Sequence, residues 1–124
     1  MMGRYEKIAC PTFSPEGLES FIYPEIDDTP YITIVEIRSG KVADVYALQA
    51  KYKSLEKLLE MLEKEKVTSL ILNSISRTLL EKLKEKGIKV YCAPTDLKVS
   101  DVLSVYQNAE LGEISLKHPK TIHV

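Results

Sequence analysis

KIACPT, residues 7–12, opens a relay of strand-like and helix-like segments whose last strand lies in GIKVYCAP, residues 87–94. Each of these runs is short and apolar, and each is stopped by a proline. Between them comes YITIVEI, residues 31–37, which is rich in β-branched residues and predicts a strand. Ser39-Gly40 predicts the turn of a hairpin whose second strand covers residues 42–48.

The second half of the chain alternates between apolar residues at helical spacing and short continuous apolar runs. Apolar residues at helical spacing predict three amphipathic helices, and short apolar runs at 67–72 and 88–92 predict buried strands between them. We expect Ser54, Ser76 and Asp96 to cap the helices, and Gly87 to take a left-handed conformation after the second one. The helical stripes are Leu55, Leu58, Leu59 and Leu62, then Leu79, Leu80 and Leu83, then Val99, Val102, Leu103 and Tyr106.

A hairpin followed by alternating units predicts an α/β domain with a five-stranded mixed sheet and helices on its faces. In such sheets, ligands bind beyond the carboxyl ends of the parallel strands. The polar or reactive residues that follow those strands are Thr12, Asn73, Ser74, Ser76 and Cys92. These five are the predicted ligand-binding residues, and no catalytic or metal-ligating residue is assigned.

Composition narrows the functional classes. The net charge is −1 and lysines alternate with glutamates along the predicted helices, which disfavours nucleic-acid binding because phosphate contacts need clustered cations. The start of the chain does not read as a signal peptide, and no apolar run approaches the ~18 residues of a membrane span. We therefore predict a cytoplasmic protein without membrane contact. Cys10 and Cys92 are expected to be reduced, largely buried and not disulfide-linked.

Three segments carry a family resemblance. KIACPT, PYITIV (residues 30–35) and EKLKEKGIKVY (residues 81–91) resemble the dinitrogenase iron–molybdenum cofactor biosynthesis family, which includes the NifX and NafY types. The resemblance implies a ribonuclease H-like, three-layer α/β/α fold for residues 1–111, followed by a C-terminal tail at 112–124. It also implies a cofactor-handling role.

The same resemblance shows where this chain departs from the family. The usual Pro-His-Phe-Gly-Arg stretch is here PEIDD, so Glu25 stands at the histidine position and Asp28 at the arginine position. The Gly/His loop before the first long helix is AKYK, residues 50–53, and a Gly-x-x-Gly turn is NSIS, residues 73–76. Imidazole and thiolate suit iron better than carboxylates do, and glycine permits close approach of a bulky ligand. With an acid at the arginine position, we also expect this chain to bind a negatively charged metal cluster less favourably than other family members do.

Two further groups of residues have weaker readings. Glu25, Asp27 and Asp28 are able to bind a hard divalent cation, but they lack a glycine-punctuated calcium loop and are interpreted as a solvated loop. His118 and His123 of the tail are candidate metal ligands, although a mobile tail or a pairing strand is the favoured reading.

The sequence-based hypothesis is a non-catalytic protein that binds or carries a small molecule or a metal cofactor. The cofactor itself is unknown, and a small anionic ligand and a homodimer are the candidate partners. The alternative hypothesis is a structural or protein-interaction module that has lost the ligand site. A metal-dependent hydrolase is the third, disfavoured because Ile8-Ala9-Cys10 offers no carboxylate on the first strand.

Overall fold

The computed structural model describes residues 5–52, 54–108, 111–114 and 122–123. Seven strands and three α-helices are present in these ranges, together with a short 3-10 turn at Gly17–Glu19. In chain order they are β1 (Tyr5–Thr12), β2 (Tyr31–Arg38), β3 (Lys41–Gln49), α1 (Leu55–Lys64), β4 (Ser69–Leu72), β5 (Ile75–Ser76), α2 (Arg77–Glu85), β6 (Lys89–Cys92), α3 (Val99–Gln107) and β7 (Ile122–His123).

The main sheet is five-stranded and mixed, in the order β3-β2-β1-β4-β6. β1, β2 and β3 are antiparallel, whereas β1, β4 and β6 run parallel. The hairpin turn at Ser39-Gly40 has φ values of 52° and 79°, which is the left-handed conformation that glycine allows without strain. The predicted hairpin and five-stranded mixed sheet are confirmed.

The helices make the outer layers of a three-layer α/β/α arrangement. The leucine stripes of α1 and α2 pack on one face of the sheet, and Val99, Val102 and Leu103 of α3 pack on the other. Ser54 Oγ accepts from the Lys57 amide at 3.2 Å, so the predicted cap of α1 is confirmed. Gly87 has φ 76°, as its position after α2 requires.

The start of α3 differs from the sequence-based prediction. Asp96 was expected to cap this helix, but the cap residue is Lys98, and Asp96 lies in the preceding turn with φ 67°. Asp101, in the first turn of α3, accepts a hydrogen bond from the Lys98 amide at 3.2 Å. The prediction was wrong because the carboxylate that holds this end reaches backwards from inside the helix.

The loop between β1 and β2 crosses the carboxyl edge of the sheet. Its first part pairs with β1 and with the turn before α3, since the Ile22 amide donates to the Leu97 carbonyl at 2.9 Å and the Tyr23 amide to the Pro11 carbonyl at 2.8 Å. Ile22 is buried in the core under α3, and Ile26 is buried in the core under α1 and α2. The loop therefore closes both halves of the interior.

Residues near the carboxyl end of the chain pair back onto the domain. The Ile114 amide donates to the Val90 carbonyl at 2.7 Å, and the Ile114 side chain is buried. β7 pairs in parallel with β5. The division into a domain at 1–111 and a tail at 112–124 stays a prediction, and His118 lies outside the described residues.

The two cysteines differ in environment. Both are free thiols; Cys10 is buried, as predicted, whereas Cys92 is partly exposed. Cys92 packs against the core under α1 and α2 but ends β6 next to a surface cavity, so a part of it stays accessible. In the described part of the chain, no helix is long and apolar enough to cross a membrane.

Candidate functional site

Asn73 and Cys92 lie side by side where β4 and β6 end. Asn73 Nδ2 donates to the Ala93 carbonyl oxygen at 3.1 Å, and Cys92 Sγ donates to the Asn73 carbonyl oxygen at 3.6 Å. The ladder continues past the strands, because the Ala93 amide donates to the Leu72 carbonyl at 2.8 Å. Two of the five predicted site residues are therefore brought together by parallel pairing.

Thr12 ends the neighbouring strand, but its side chain lies inside the protein. It is fully buried, and its Oγ1 is 2.8 Å from Thr33 Oγ1 and donates to the Ser14 carbonyl oxygen at 3.1 Å. These contacts hold the loop that crosses the sheet edge. Thr12 thus shapes this end of the sheet from within.

Ser74 and Ser76 belong to a turn that is paired on both sides. The Ser74 amide donates to the Pro24 carbonyl at 3.2 Å, and Ser76 pairs with His123 of β7. Ser76 Oγ accepts from the Leu79 amide at 3.3 Å and caps α2, as predicted. The structure therefore uses the Ser74 amide for pairing and the Ser76 hydroxyl for capping.

A cavity of about 380 Å³ opens beside Asn73 and Cys92. Its remaining wall is mainly apolar and comes from the segment after β6, from α3 and from the segment that returns to β6: Ala93, Pro94, Leu97, Val105, Leu111 and Gly112. This volume is in the range of small-molecule sites. The cavity therefore offers a mostly apolar surface, with the Asn73 amide and the Cys92 thiol at one end.

The two thiols have different chemical prospects. Burial raises the pKa of Cys10 to about 12, so this cysteine stays a neutral, inert thiol. Cys92 borders the cavity and donates its S–H to a backbone carbonyl.

The carboxylates of the crossing loop are the sequence-based candidates for a hard cation. Among the described residues, no group of three or more histidine, cysteine, aspartate or glutamate side chains is arranged to hold a metal ion, and Glu25, Asp27 and Asp28 form no such group. Glu25 instead forms a parallel bridge with Ser74.

Sequence reasoning missed a second cavity, of about 350 Å³, at the loop before α1. Gln49, Lys51, Tyr52, Lys57 and Met61 line it. The Tyr52 hydroxyl donates to the Ile26 carbonyl oxygen, and burial, reinforced by Asp27 and Asp28, raises the Tyr52 pKa well above its usual range. The sequence marked Tyr52 only as part of a loop without glycine and histidine, although an aromatic residue there was a signal of packing against the crossing loop.

The chain has two phenylalanines, and both are exposed in the loop between β1 and β2. Phe13 and Phe21 are 54% and 47% exposed, and the Phe13 amide donates to the Phe21 carbonyl at 3.1 Å. The Phe13 ring meets the Tyr23 ring edge to face, with 4.7 Å between centroids. The sequence gives no periodic signal for this pair because both residues lie outside regular helices.

A family model described as "Dinitrogenase iron-molybdenum cofactor" matches residues 7–109. The chain belongs to this family. The match spans the five-stranded sheet and all three helices, so membership and the three-layer fold agree. No curated protein matches the chain by sequence.

Solved structures support the same fold. A candidate dinitrogenase from Methanocaldococcus jannaschii is 25% identical, with a TM-score of 0.74 over 90% of this chain and 97% of that chain. A candidate NifB protein from Thermotoga is 22% identical, with a TM-score of 0.71 over 92% and 99% of the two chains. The apo orange protein from Desulfovibrio gigas is 15% identical, with a TM-score of 0.77 over 91% and 96%. The last two likenesses establish the fold alone.

Two stretches in which this chain differs from the family's usual motifs can now be located in the structure. The segment that replaces the family's Pro-His-Phe-Gly-Arg stretch is the part of the loop that carries Ile26 into the core. The loop that replaces the Gly/His loop carries Tyr52, which packs against the same core. In this member of the dinitrogenase cofactor family, the first substituted stretch contributes the buried Ile26 and the second the partly buried Tyr52.

Proposed function

We propose that this chain is a non-catalytic binding or carrier protein that holds a small ligand beside Asn73 and Cys92. The family description concerns the iron-molybdenum cofactor of dinitrogenase, and handling a preformed cofactor requires binding and release. In this chain the binding role is retained, and the bound molecule is a different one. Thr12 and Ser74 contribute indirectly, by holding the crossing loop against the edge of the sheet. Ser76 contributes by capping α2.

The observation that carries the proposal is the cavity of about 380 Å³ where β4 and β6 end. It lies at the carboxyl edge of parallel strands, where ligands of α/β sheets bind. Its apolar wall fits a ligand with a compact apolar body, and Asn73 and Cys92 fit one polar group on that body. This ligand is more apolar than the polar or anionic one expected from the sequence.

Electrostatics argue for a cargo other than an anionic metal cluster. Carboxylates stand at the family's histidine and arginine positions, at Glu25 and Asp28, and Asp27 lies between them. Like charges repel an anionic cluster, and carboxylates suit harder ions than iron in a sulfide environment. A neutral small molecule is not repelled by these carboxylates and does not need metal ligands.

Binding without catalysis is supported by the state of Cys92. A nucleophilic cysteine needs a basic neighbour or another group that stabilises its thiolate. Cys92 instead donates to a carbonyl oxygen, and Asn73 beside it is neither an acid nor a base. The cavity groups are suited to hydrogen bonding with a ligand.

Native mass spectrometry of gently purified protein tests this function whatever the identity of the ligand. We expect an added small-molecule mass on the wild type. Val105→Phe fills the cavity and should lose that mass, whereas Ser104→Phe, on an exposed position of the same helix, should keep it. Equal added mass on both variants, or none on the wild type, contradicts the proposal.

The exposed pair Phe13 and Phe21 favours a second candidate function, a protein-interaction module. Large exposed aromatic residues next to each other are uncommon on monomer surfaces and common at interfaces. This alternative gains support if the mass spectrum shows a defined oligomer without a small-molecule adduct, and if Phe13→Ser dissociates that oligomer.

A further inference from the structure

The two edges of the five-stranded sheet differ in what lies beside them. β6 forms one edge, and the returning segment covers it, since the Ile114 amide donates to the Val90 carbonyl at 2.7 Å. β3 forms the other edge, and in the described part of the chain it pairs with β2 alone. β3 is nine residues long. An uncovered strand edge of this length is a template for pairing with a further strand.

Alternation along β3 shows which of its backbone groups face away from β2. The Ala50 amide donates to the Pro30 carbonyl at 3.1 Å, so the N–H and C=O groups of residue 50 point toward β2. In an antiparallel ladder this direction alternates from one residue to the next, and the register is unbroken from residue 44 to residue 49. The N–H and C=O groups of Val45, Ala47 and Gln49 therefore point outward.

This outward row is open in its middle and covered at its ends only by near neighbours. The Val45 amide donates to Asp44 Oδ1 at 2.9 Å, which agrees with an outward N–H. The Gln49 carbonyl accepts from the Lys51 amide at 3.0 Å. For Ala47, the residues that the structure describes supply no hydrogen bond on this side. A strand that supplies one donor and one acceptor opposite Ala47 would satisfy both groups.

A second copy of β3 has the matching groups when it runs antiparallel and is centred on Ala47. Ala47 then exchanges two hydrogen bonds with Ala47 of the partner subunit. Tyr46 faces Leu48 of the partner subunit, and this aromatic–aliphatic pair, of a kind that stabilises sheets, occurs twice. Val45 faces Gln49 of the partner subunit, so no pair between residues 45 and 49 brings two charges together.

The charges beyond this row also fit a second copy. Asp44 shares a face of the sheet with Tyr46, which packs on the core under α1, because side chains alternate along a strand. Lys51 lies on the same side, since it lines a cavity with Met61 of α1. Among the described residues, neither Asp44 nor Lys51 makes an ion pair. The register places Asp44 beside Lys51 of the partner subunit, and the twofold axis repeats this contact.

We propose that two copies of the chain pair through β3, antiparallel and centred on Ala47, and join their two sheets into one. On pairing, the Val45 amide exchanges the Asp44 carboxylate for the carbonyl of Gln49 of the partner subunit, and Asp44 turns to the partner's Lys51. One strand edge is a small contact, so we expect a reversible dimer with a Kd on the order of micromolar. The ligand cavity beside β6 lies at the other edge of the sheet, so either proposal can fail without the other.

Light scattering of the full chain at about 10–300 µM measures this association, a range that brackets a micromolar Kd. The mass should rise from 14.0 kDa toward twice that value. Ala47→Pro removes the outward N–H and leaves the bonds to β2 in place, so it should stay monomeric. Phe13→Ser alters the exposed aromatic loop instead and should keep the dimer. A monomeric wild type, a dimeric Ala47→Pro, or a dimer lost in Phe13→Ser overturns the proposal.

Charge variants test the same contact without a risk to folding, because the residues are exposed. Lys51→Asp should weaken association about tenfold, since it replaces two attractions with two repulsions. The double variant Asp44→Lys/Lys51→Asp should recover most of the loss. Lys64→Asp, at an exposed position of α1, is the matched control and should leave association unchanged. Equal effects of Lys51→Asp and Lys64→Asp, or no recovery in the double variant, contradict the proposed pairing.

Disulfide cross-linking tests the register. The two Ala47 Cα atoms of the dimer would lie about 5.5 Å apart, which a disulfide can span, so Ala47→Cys should give a covalent dimer under mild oxidation. Ala43→Cys, on the same strand, is the matched control and should stay monomeric, because the antiparallel register carries the two copies of residue 43 far apart. The wild type measures the background from its own thiols. Failure of Ala47→Cys to cross-link above that background, or equal cross-linking of Ala43→Cys, overturns the proposal.

Discussion

Ile22 and Ile26 come from one short loop and are buried on opposite faces of the sheet. Ile22 joins the core under α3, and Ile26 joins the core under α1 and α2. Each is about 1% exposed. The loop that crosses the carboxyl edge is therefore anchored in both halves of the interior.

Ile22→Ala and Ile26→Ala should each lower the free energy of unfolding by about 2–5 kcal/mol, because each removes a fully packed side chain. Chemical denaturation measures the change. Phe21→Ala, in the same loop but 47% exposed, is the control and should cost less than about 1 kcal/mol. Isoleucine variants as stable as the control would show that the loop is not anchored.

Leu58→Ala and Leu83→Ala should also cost about 2–5 kcal/mol each, because both leucines are buried under the helices. The matched controls are Lys57→Ala and Lys84→Ala, next to them on the solvent side, where ion pairs contribute little. Urea denaturation of the four variants checks this. Equal losses in the lysine and leucine variants would mean that the helix faces are misassigned.

Stability should fall at alkaline pH. Burial raises the pKa of Cys10 from its ordinary value of 9.0 to about 12, so the folded chain keeps a proton that the unfolded chain loses. The associated stability is fully present below pH 9 and is lost as the pH rises toward 12, with a slope of about 1.4 kcal/mol per pH unit. Denaturation midpoints at several pH values measure the slope.

Cys10→Ala should show a shallower alkaline slope than the wild type. Ile8→Val, in the same strand and core, is the control for loss of packing and should keep the wild-type slope. Identical slopes in all three proteins would argue that Cys10 ionises as easily when folded as when unfolded.

Anaerobic incubation with ferrous iron and sulfide, followed by absorption spectroscopy, tests the choice of cargo. We expect no stoichiometric cluster on the wild type, because carboxylates replace the family's histidine and arginine. A stoichiometric cluster that disappears in Glu25→Ala or His118→Ala would move the site to those residues and refute the assignment to Asn73 and Cys92.

Much of the fold could be predicted because its signals are local. Ser54 and Ser76 cap helices through hydroxyls placed just before apolar stripes, and Gly87 takes a conformation that other residues adopt only with strain. The β-branched run of β2 and the Ser39-Gly40 turn are equally local. Alternating periods then leave few topologies for the sheet.

The site was predicted less completely because it depends on contacts between distant segments. Parallel pairing brings Asn73 next to Cys92, as the strand ends suggested. The burial of Thr12 and the pairing of Ser74 with Pro24 follow from the path of the crossing loop, and the partial exposure of Cys92 depends on the returning segment at Gly112. That path has no periodic pattern in the sequence.

The most direct test of the carrier assignment is an NMR titration of the ¹⁵N-labelled chain with isobutyramide. This compound has a branched apolar body for the cavity wall and an amide that can pair with Asn73. The account predicts saturable shifts at the Asn73 side-chain amide and at Cys92, Ala93 and Val105, lost in Val105→Phe and kept in Ser104→Phe. Shifts centred on Glu25 to Asp28, or none at the end of β4 and β6, would contradict it.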